Sequence, residues 1–195
     1  EEEVLERLRL GYWVMIREGS VRKELPGVKG IFKRKGTIDF RRLILSTDGM
    51  DPVGFMEEGY LDAALRRALK LGVPPDLAYQ MVTINVAEHF RLDHLIGSLS
   101  PGKMADLVMI PSPHEFSPQL VMCNGKIILK EGKATVSPRN TFFPKYMFHS
   151  IRFPQNPIPS PRGKGKVRVI ELVTDLVTKE GIVDLENPEE SKDIL

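Results

Sequence analysis

The residue best placed for chemistry is Asp48, which follows an apolar run at residues 43–45 and the small polar pair Ser46 and Thr47. A carboxylate at the carboxyl end of a buried strand is a position where α/β proteins place catalytic groups. Aspartate is also common in turns and at helix starts, so the position alone favours neither interpretation. The role of Asp48 therefore depends on the elements around it.

The first half of the chain alternates between strand and helix patterns. Residues 12–16 are aromatic and β-branched, which is typical of a buried strand. In chain order we predict a helix at the start, the strand at 12–16, a short helix over 21–26 ended by Pro26, and the strand before Asp48. Two helices follow. The first covers 60–69 and is closed by Gly72, and the second runs from Pro74 through Met81 and Ile84. This order predicts parallel βα units and an α/β fold.

From Gly97 onward the pattern becomes β. An apolar strand is predicted at 105–110, and two more runs, 119–123 and 126–130, flank Asn124 and Gly125. Asn-Gly between apolar runs predicts a hairpin, because a type I′ turn needs positive φ at both central residues. A proline-rich linker is predicted at 139–166, followed by strands at 167–173 and near 182–185.

Composition narrows the possible partners. The net charge of +2 is small, which argues against nucleic acid as a partner. The apolar runs are too short for a membrane span, and the single cysteine, Cys123, fits a reducing, cytoplasmic compartment. The four histidines, His89, His94, His114 and His149, lack the spacing of a zinc motif. His89 is expected to end or pack a helix.

Residues 97–108, GSLSPGKMADLV, resemble the segment in which the chain of amidohydrolase-superfamily enzymes passes from a metal-binding barrel to a small β-sandwich. Further segments resemble adenine deaminases, in order: REGS at 17–20, STD at 46–48 with Pro52, GYLD at 59–62 with Arg66 and Arg67, and TINVA at 83–87. Two residues depart from the family pattern. Val86 stands where proline is frequent, and Gly49 where many members have a second acidic residue that Asp51 is near enough to replace.

The resemblance implies a fold and a division of the chain. Residues 1–96 would be the end of a (β/α)8 barrel, with the strand before Arg17 the seventh and the strand before Asp48 the eighth. Residues 97–138 would be a β-sandwich segment, 139–166 a linker, and 167–195 the start of a β-rich C-terminal domain. The chain, which begins inside a helical pattern without an initiator methionine, is expected to be a piece of a longer protein.

The resemblance also implies a site for a divalent metal, Mn, Fe or Zn. Asp48 matches the last metal ligand of the family, and the other ligands would lie outside this chain. Asp48 would also move the proton between the attacking water and the departing ammonia. Glu18 would be a catalytic and substrate-binding carboxyl that, when protonated, donates to a ring nitrogen, and Ser20 would add a hydroxyl contact. An ion pair of Glu18 with Arg17 or Arg22 is the alternative.

The implied activity is hydrolytic deamination of adenine to hypoxanthine and ammonia in purine salvage, and the 195-residue piece alone is expected to be inactive. A different amidohydrolase acting on a cyclic amide or amidine is an alternative. So is a β-rich structural or interaction module without catalysis. The sequence leaves open whether the protein is a homo-oligomer.

Overall fold

A parallel pair of strands lies at the centre of the first of two compact units, Glu1–Ser137 and Pro138–Leu195. The computed structural model describes residues 1–34, 36–152, 164–173 and 178–186. Strand β1 (Val14–Arg17) pairs with β2 (Leu43–Ser46), with Val14 opposite Leu43 and Arg17 opposite Ser46. The predicted α/β class is confirmed for this part, because a parallel pair requires a crossover connection.

Helices pack against this pair. Their bounds are α1 Glu2–Arg9, α2 Leu25–Val28, α3 Pro52–Glu57, α4 Leu61–Lys70, α5 Pro75–Met81 and α6 Ile84–His89, with a 3-10 turn at Lys29–Arg34 after α2. The core draws on both strands and on the helices other than α3, none of whose residues is buried. Leu5 of α1, Leu45 of β2, Ala68 of α4 and Met81 of α5 are each at most 2% exposed. Burying these side chains supplies the main stabilising free energy of the unit.

Two helix predictions were wrong in their bounds. Pro26 was expected to end a helix over 21–26, but α2 begins at Leu25 with Pro26 in its first turn. Proline suits that position, since the first turn needs no amide hydrogen from it. The single helix predicted from Pro74 through Ile84 is instead two helices, α5 and α6, separated at Thr83, whose backbone is not helical (φ −131°, ψ −93°).

The break at Thr83 accompanies a buried tertiary contact of Asn85. Asn85, only 1% exposed, donates from Nδ2 to the carbonyl oxygens of Phe40 (3.1 Å) and Leu43 (2.8 Å). These bonds fix α6 against the start of β2. The Leu43 carbonyl gains a donor in this way, and the Phe40 carbonyl, which also accepts from the amide of Leu43 at 3.0 Å, gains a second donor.

The predicted hairpin is confirmed. Strands β3 (Leu107–Met109), β4 (Leu120–Cys123), β5 (Lys126–Lys130) and β6 (Lys133–Ala134) form one antiparallel sheet in that order. Asn124 has φ 47° and Gly125 has φ 76°, so both central turn residues have positive φ. The short strand β6 was not predicted, and it extends the sheet by a second tight turn.

The second unit contains a 3-10 turn at Lys145–Met147 and the antiparallel strands β7 (Lys166–Leu172) and β8 (Thr178–Asp184). Both predicted strands are present, and β8 begins earlier than the sequence indicated. Parts of the predicted linker (139–166) and C-terminal domain (167–195) lie outside the described residues. Within the ranges that are described, no helix is both long and apolar enough to span a membrane.

Candidate active site

The carboxyl ends of β1 and β2 bring two of the polar segments together. Beyond the strands, the amide of Glu18 donates to the carbonyl of Ser46 (2.7 Å), and the amide of Ser20 donates to the carbonyl of Gly49 (3.2 Å). Residues 18–20 therefore lie directly beside residues 46–49. The segments REGS and STD, which are far apart in sequence, form one surface at the strand ends, where α/β proteins carry their functional groups.

Asp48 is exposed at this edge. Its φ is 53°, in the left-handed region that aspartate adopts more readily than most residues. Its side chain is 49% exposed, and one carboxylate oxygen lies 3.5 Å from Nη1 of Arg17. Arg17 is also paired with Glu24, and this contact lowers the pKa of the Glu24 carboxyl. Asp48 is therefore a carboxylate with one loose ionic partner and an open side.

A divalent metal ion can use Asp48 as one ligand. Carboxylate oxygens bind Zn²⁺ and harder divalent ions, and the long contact with Arg17 leaves lone pairs on Asp48 available. Within the described residues, no three His, Cys, Asp or Glu side chains form a group able to hold a metal ion. The residues present thus fit a single ligand position, and a complete site needs further donors.

Glu18 is buried in an ion pair. Its side chain is 0% exposed, with Oε1 2.9 Å from Nη1 of Arg67, on α4. Oε2 accepts a hydrogen bond from the amide of Leu25, the first residue of α2, at 3.0 Å. The sequence allowed an ion pair with Arg17 or Arg22, but the structure forms it with Arg67. Both carboxylate oxygens are occupied, so Glu18 has no surface open to a ligand in this arrangement.

Ser20 connects the end of β1 to the start of α3. Its hydroxyl accepts from the amide of Asp51 (3.3 Å) and helps to hold the pKa of the Asp51 carboxyl below its usual range. Asp51 caps α3, accepting from the amide of Gly54 at 2.8 Å. A carboxylate at the N-cap satisfies a free helix amide. Asp51, which the sequence offered in place of an acidic residue at position 49, is thus engaged in capping α3.

Sequence reasoning missed Arg67 as a member of this region. Arg67 lies 49 positions from Glu18, and only the packing of α4 against the strand pair, through β2, brings the two together. The available signal was the position of Arg67 next to Ala68 on the apolar face of the predicted helix, since an arginine close to a core is often paired with a carboxylate.

The four histidines occupy a helix end and exposed positions. His89 is the last residue of α6, and its ring packs against Trp13 and Phe90 with centroid distances of 5.1 and 4.7 Å. His94, His114 and His149 are exposed. The packing interpretation of His89 is confirmed.

Comparison with known proteins assigns the class. The model of the amidohydrolase family matches residues 7–128, which include β1 to β4 and the first part of β5. The chain belongs to the amidohydrolase family.

Its relatives include several adenine deaminases. The adenine deaminase of Desulforamulus reducens is 36% identical over 183 residues, covering 90% of this chain and 31% of the relative. That of Cenarchaeum symbiosum is 32% identical over 202 residues, covering 98% of this chain and 33% of the relative. The chain thus spans about a third of the length of these relatives.

Among solved structures, the β-aspartyl dipeptidase of Fervidobacterium islandicum AW-1, in complex with a β-Asp-Leu dipeptide, is similar in fold. The TM-score is 0.54 and the sequence identity 17%, over 71% of this chain and 38% of the dipeptidase. At this identity the likeness concerns the fold alone.

Proposed function

We propose that the full-length protein containing this chain is a metal-dependent adenine deaminase, which converts adenine and water to hypoxanthine and ammonia. The observation that carries the proposal is the pairing of the Asp48 segment with residues 17–20 at the ends of two parallel strands. It is supported by similarity to adenine deaminases over 90% of the chain. The reaction would serve purine salvage in the cytoplasm.

Asp48 is proposed to bind a divalent ion (Mn, Fe or Zn) together with ligands outside this chain. Such an ion, when bound, lowers the pKa of a water molecule to about 7. Asp48 takes a proton as the water oxygen bonds to C6 of adenine. It then donates that proton to the exocyclic nitrogen as the C6–N bond breaks and ammonia leaves. This shuttle requires a carboxylate with a free side, which the exposure of Asp48 provides.

Ser20 and Glu18 are proposed to bind the purine. Ser20 lies at the end of β1, next to the segment of Asp48, and offers a hydroxyl. Glu18 can donate to a ring nitrogen only as a protonated carboxyl, and only if one of its two contacts, with Arg67 or with the amide of Leu25, opens, because the side chain is now fully enclosed. Any direct contact of Glu18 with substrate therefore involves a local rearrangement.

The barrel assignment is part of the same proposal. Strands β1 and β2 would be the seventh and eighth strands of a (β/α)8 barrel whose last part is residues 1–96. The sheet β3–β6 would belong to a β-sandwich over 97–138, and residues 139–166 would link it to a C-terminal domain beginning at 167. A carboxylate after the eighth strand lies at the face of a barrel where such enzymes hold their sites.

The test is a substrate panel on the full-length protein loaded with Mn²⁺, Fe²⁺ or Zn²⁺. Release of ammonia is measured from adenine, guanine and cytosine, and ring opening is measured from a cyclic amide such as dihydrouracil, whose hydrolysis releases no ammonia. The proposal predicts that adenine has the highest kcat/KM and that chelation abolishes the activity. Turnover of another member of the panel with adenine unchanged would favour the other amidohydrolase reaction, and inactivity throughout would favour a non-catalytic module.

A further inference from the structure

Arg67 occupies a junction between three elements. Its Nη1 lies 2.9 Å from Oε1 of Glu18, which follows β1, and its Nη2 pairs with Glu58, the C-cap residue that follows α3. Glu58 is itself fixed to α3, since its amide donates to the carbonyl of Gly54 at 2.9 Å. One guanidinium on α4 therefore ties the end of β1 to the segment that follows Asp48.

The burial of these groups makes the junction stiff. Glu18 is fully buried, and Arg67 is 28% exposed. A buried carboxylate that loses its cationic partner is strongly unfavourable, so Glu18 and Arg67 hold each other in place. The planar guanidinium donates to two carboxylates at once, a geometry that a lysine ammonium reproduces poorly.

We infer that Arg67 is a positioning residue for the reaction. Through Glu18 it fixes the strand end that carries Ser20, and through Glu58 it fixes the segment from Asp48 to the end of α3. The inference rests on the proposed deaminase function. A displacement of about 1 Å in a catalytic group costs up to about 100-fold in rate, so holding these two segments in register is a catalytic requirement.

Arg66 provides a matched control on the same helix. It pairs with Asp62 one turn earlier (2.7 Å) and donates to the carbonyl of Glu58 (2.9 Å), and its side chain is 38% exposed. Arg66 has the same charge and size as Arg67 but pairs with a carboxylate of its own helix. Arg66→Met therefore removes an arginine from α4 but leaves the ion pair of Glu18 with Arg67 in place.

The experiment measures kcat, KM and melting temperature for full-length Arg67→Met, Arg67→Lys and Arg66→Met with adenine. We expect Arg67→Met to lower kcat about 30- to 100-fold with KM changed less than threefold, because positioning affects the reacting groups more than uniform binding. Arg67→Lys should recover part of kcat, and Arg66→Met should stay within threefold of the wild type. An Arg67→Met protein that folds and keeps its kcat within threefold would overturn the inference.

A double variant shows whether Arg67 acts through Glu18. If it does, Glu18→Gln combined with Arg67→Met should lose no more kcat than the worse single variant, since both break one interaction. Multiplicative losses would contradict this route. If Arg67→Met does not fold, Glu58→Gln, at a 53% exposed side chain, decides the matter: a three- to tenfold lower kcat supports the inference and an unchanged kcat overturns it.

The two proposals fail in different ways. A wild-type protein that does not deaminate adenine contradicts the proposed function, and the role of Arg67 falls with it. A fully active wild type whose Arg67 variants remain equally active contradicts only the role of Arg67.

Discussion

At the scale of single residues, Gly19 is where the two strand ends come closest. A Cβ at this position would collide with the carbonyl oxygens of Thr47 and Gly49. These are backbone atoms on either side of Asp48, so they cannot swing aside as the end of a long side chain could. The glycine of REGS is therefore required by close packing of backbone against backbone, directly beside the proposed metal ligand.

Gly19→Ala should therefore destabilise the full-length protein by about 2 kcal/mol, as overpacking does elsewhere, and displace the segment of Asp48. Denaturant unfolding measures the first effect and adenine turnover the second. Gly27→Ala is the control, because nothing in the described part of the chain lies within 4 Å of a Cβ built there. Equal stability of the two variants would show that the strand ends are less tightly packed than described.

The sequence located Asp48, Glu18 and Ser20 at strand ends because local patterns report where a strand stops. It did not predict how Glu18 is paired. Arg17 and Arg22 were the nearby choices, but Arg17 is engaged by Glu24 and Asp48. The partner of a buried charge depends on which helix packs over it, and no local pattern contains that information.

At the scale of elements, α6 illustrates how tertiary contacts override a helical pattern. The sequence predicted one helix through Ile84, whereas the break before Asn85 allows its amide to reach the carbonyls of Phe40 and Leu43. The short helix α3 was also missed, although Asp51 followed by Pro52 is a recognisable helix start. By contrast, α4 and the Asn124-Gly125 hairpin were predicted because strong local signals agree with the packing.

Asn85→Ala should cost about 1–3 kcal/mol in unfolding free energy, since it leaves two buried carbonyls without this donor. Glu88→Ala, at an exposed position of the same helix, should change stability by less than about 0.5 kcal/mol. Thermal or denaturant melts of the full-length variants provide the comparison. Similar losses in both would mean that α6 contributes through helix propensity rather than through its bonds to β2.

At the scale of the whole molecule, the proposed function requires the chain to supply only part of a site. It spans about a third of the length of its adenine deaminase relatives, and Asp48 offers one ligand position. Under the proposed function, residues elsewhere complete the metal site. The sequence of this chain could therefore indicate the reaction class through family resemblance but could not define the full ligand set. The central claim is that Asp48 is part of that set.

The most direct test compares Asp48→Asn with Asp39→Asn in the full-length protein. Asp39 is also an exposed, arginine-paired aspartate, 2.6 Å from Arg41, but it precedes β2 and lies away from the end that carries Asp48. Metal content and adenine deamination are measured for both. We predict that Asp48→Asn loses bound metal and at least about 100-fold in kcat, while Asp39→Asn keeps both. Wild-type metal content and turnover in Asp48→Asn would contradict the account.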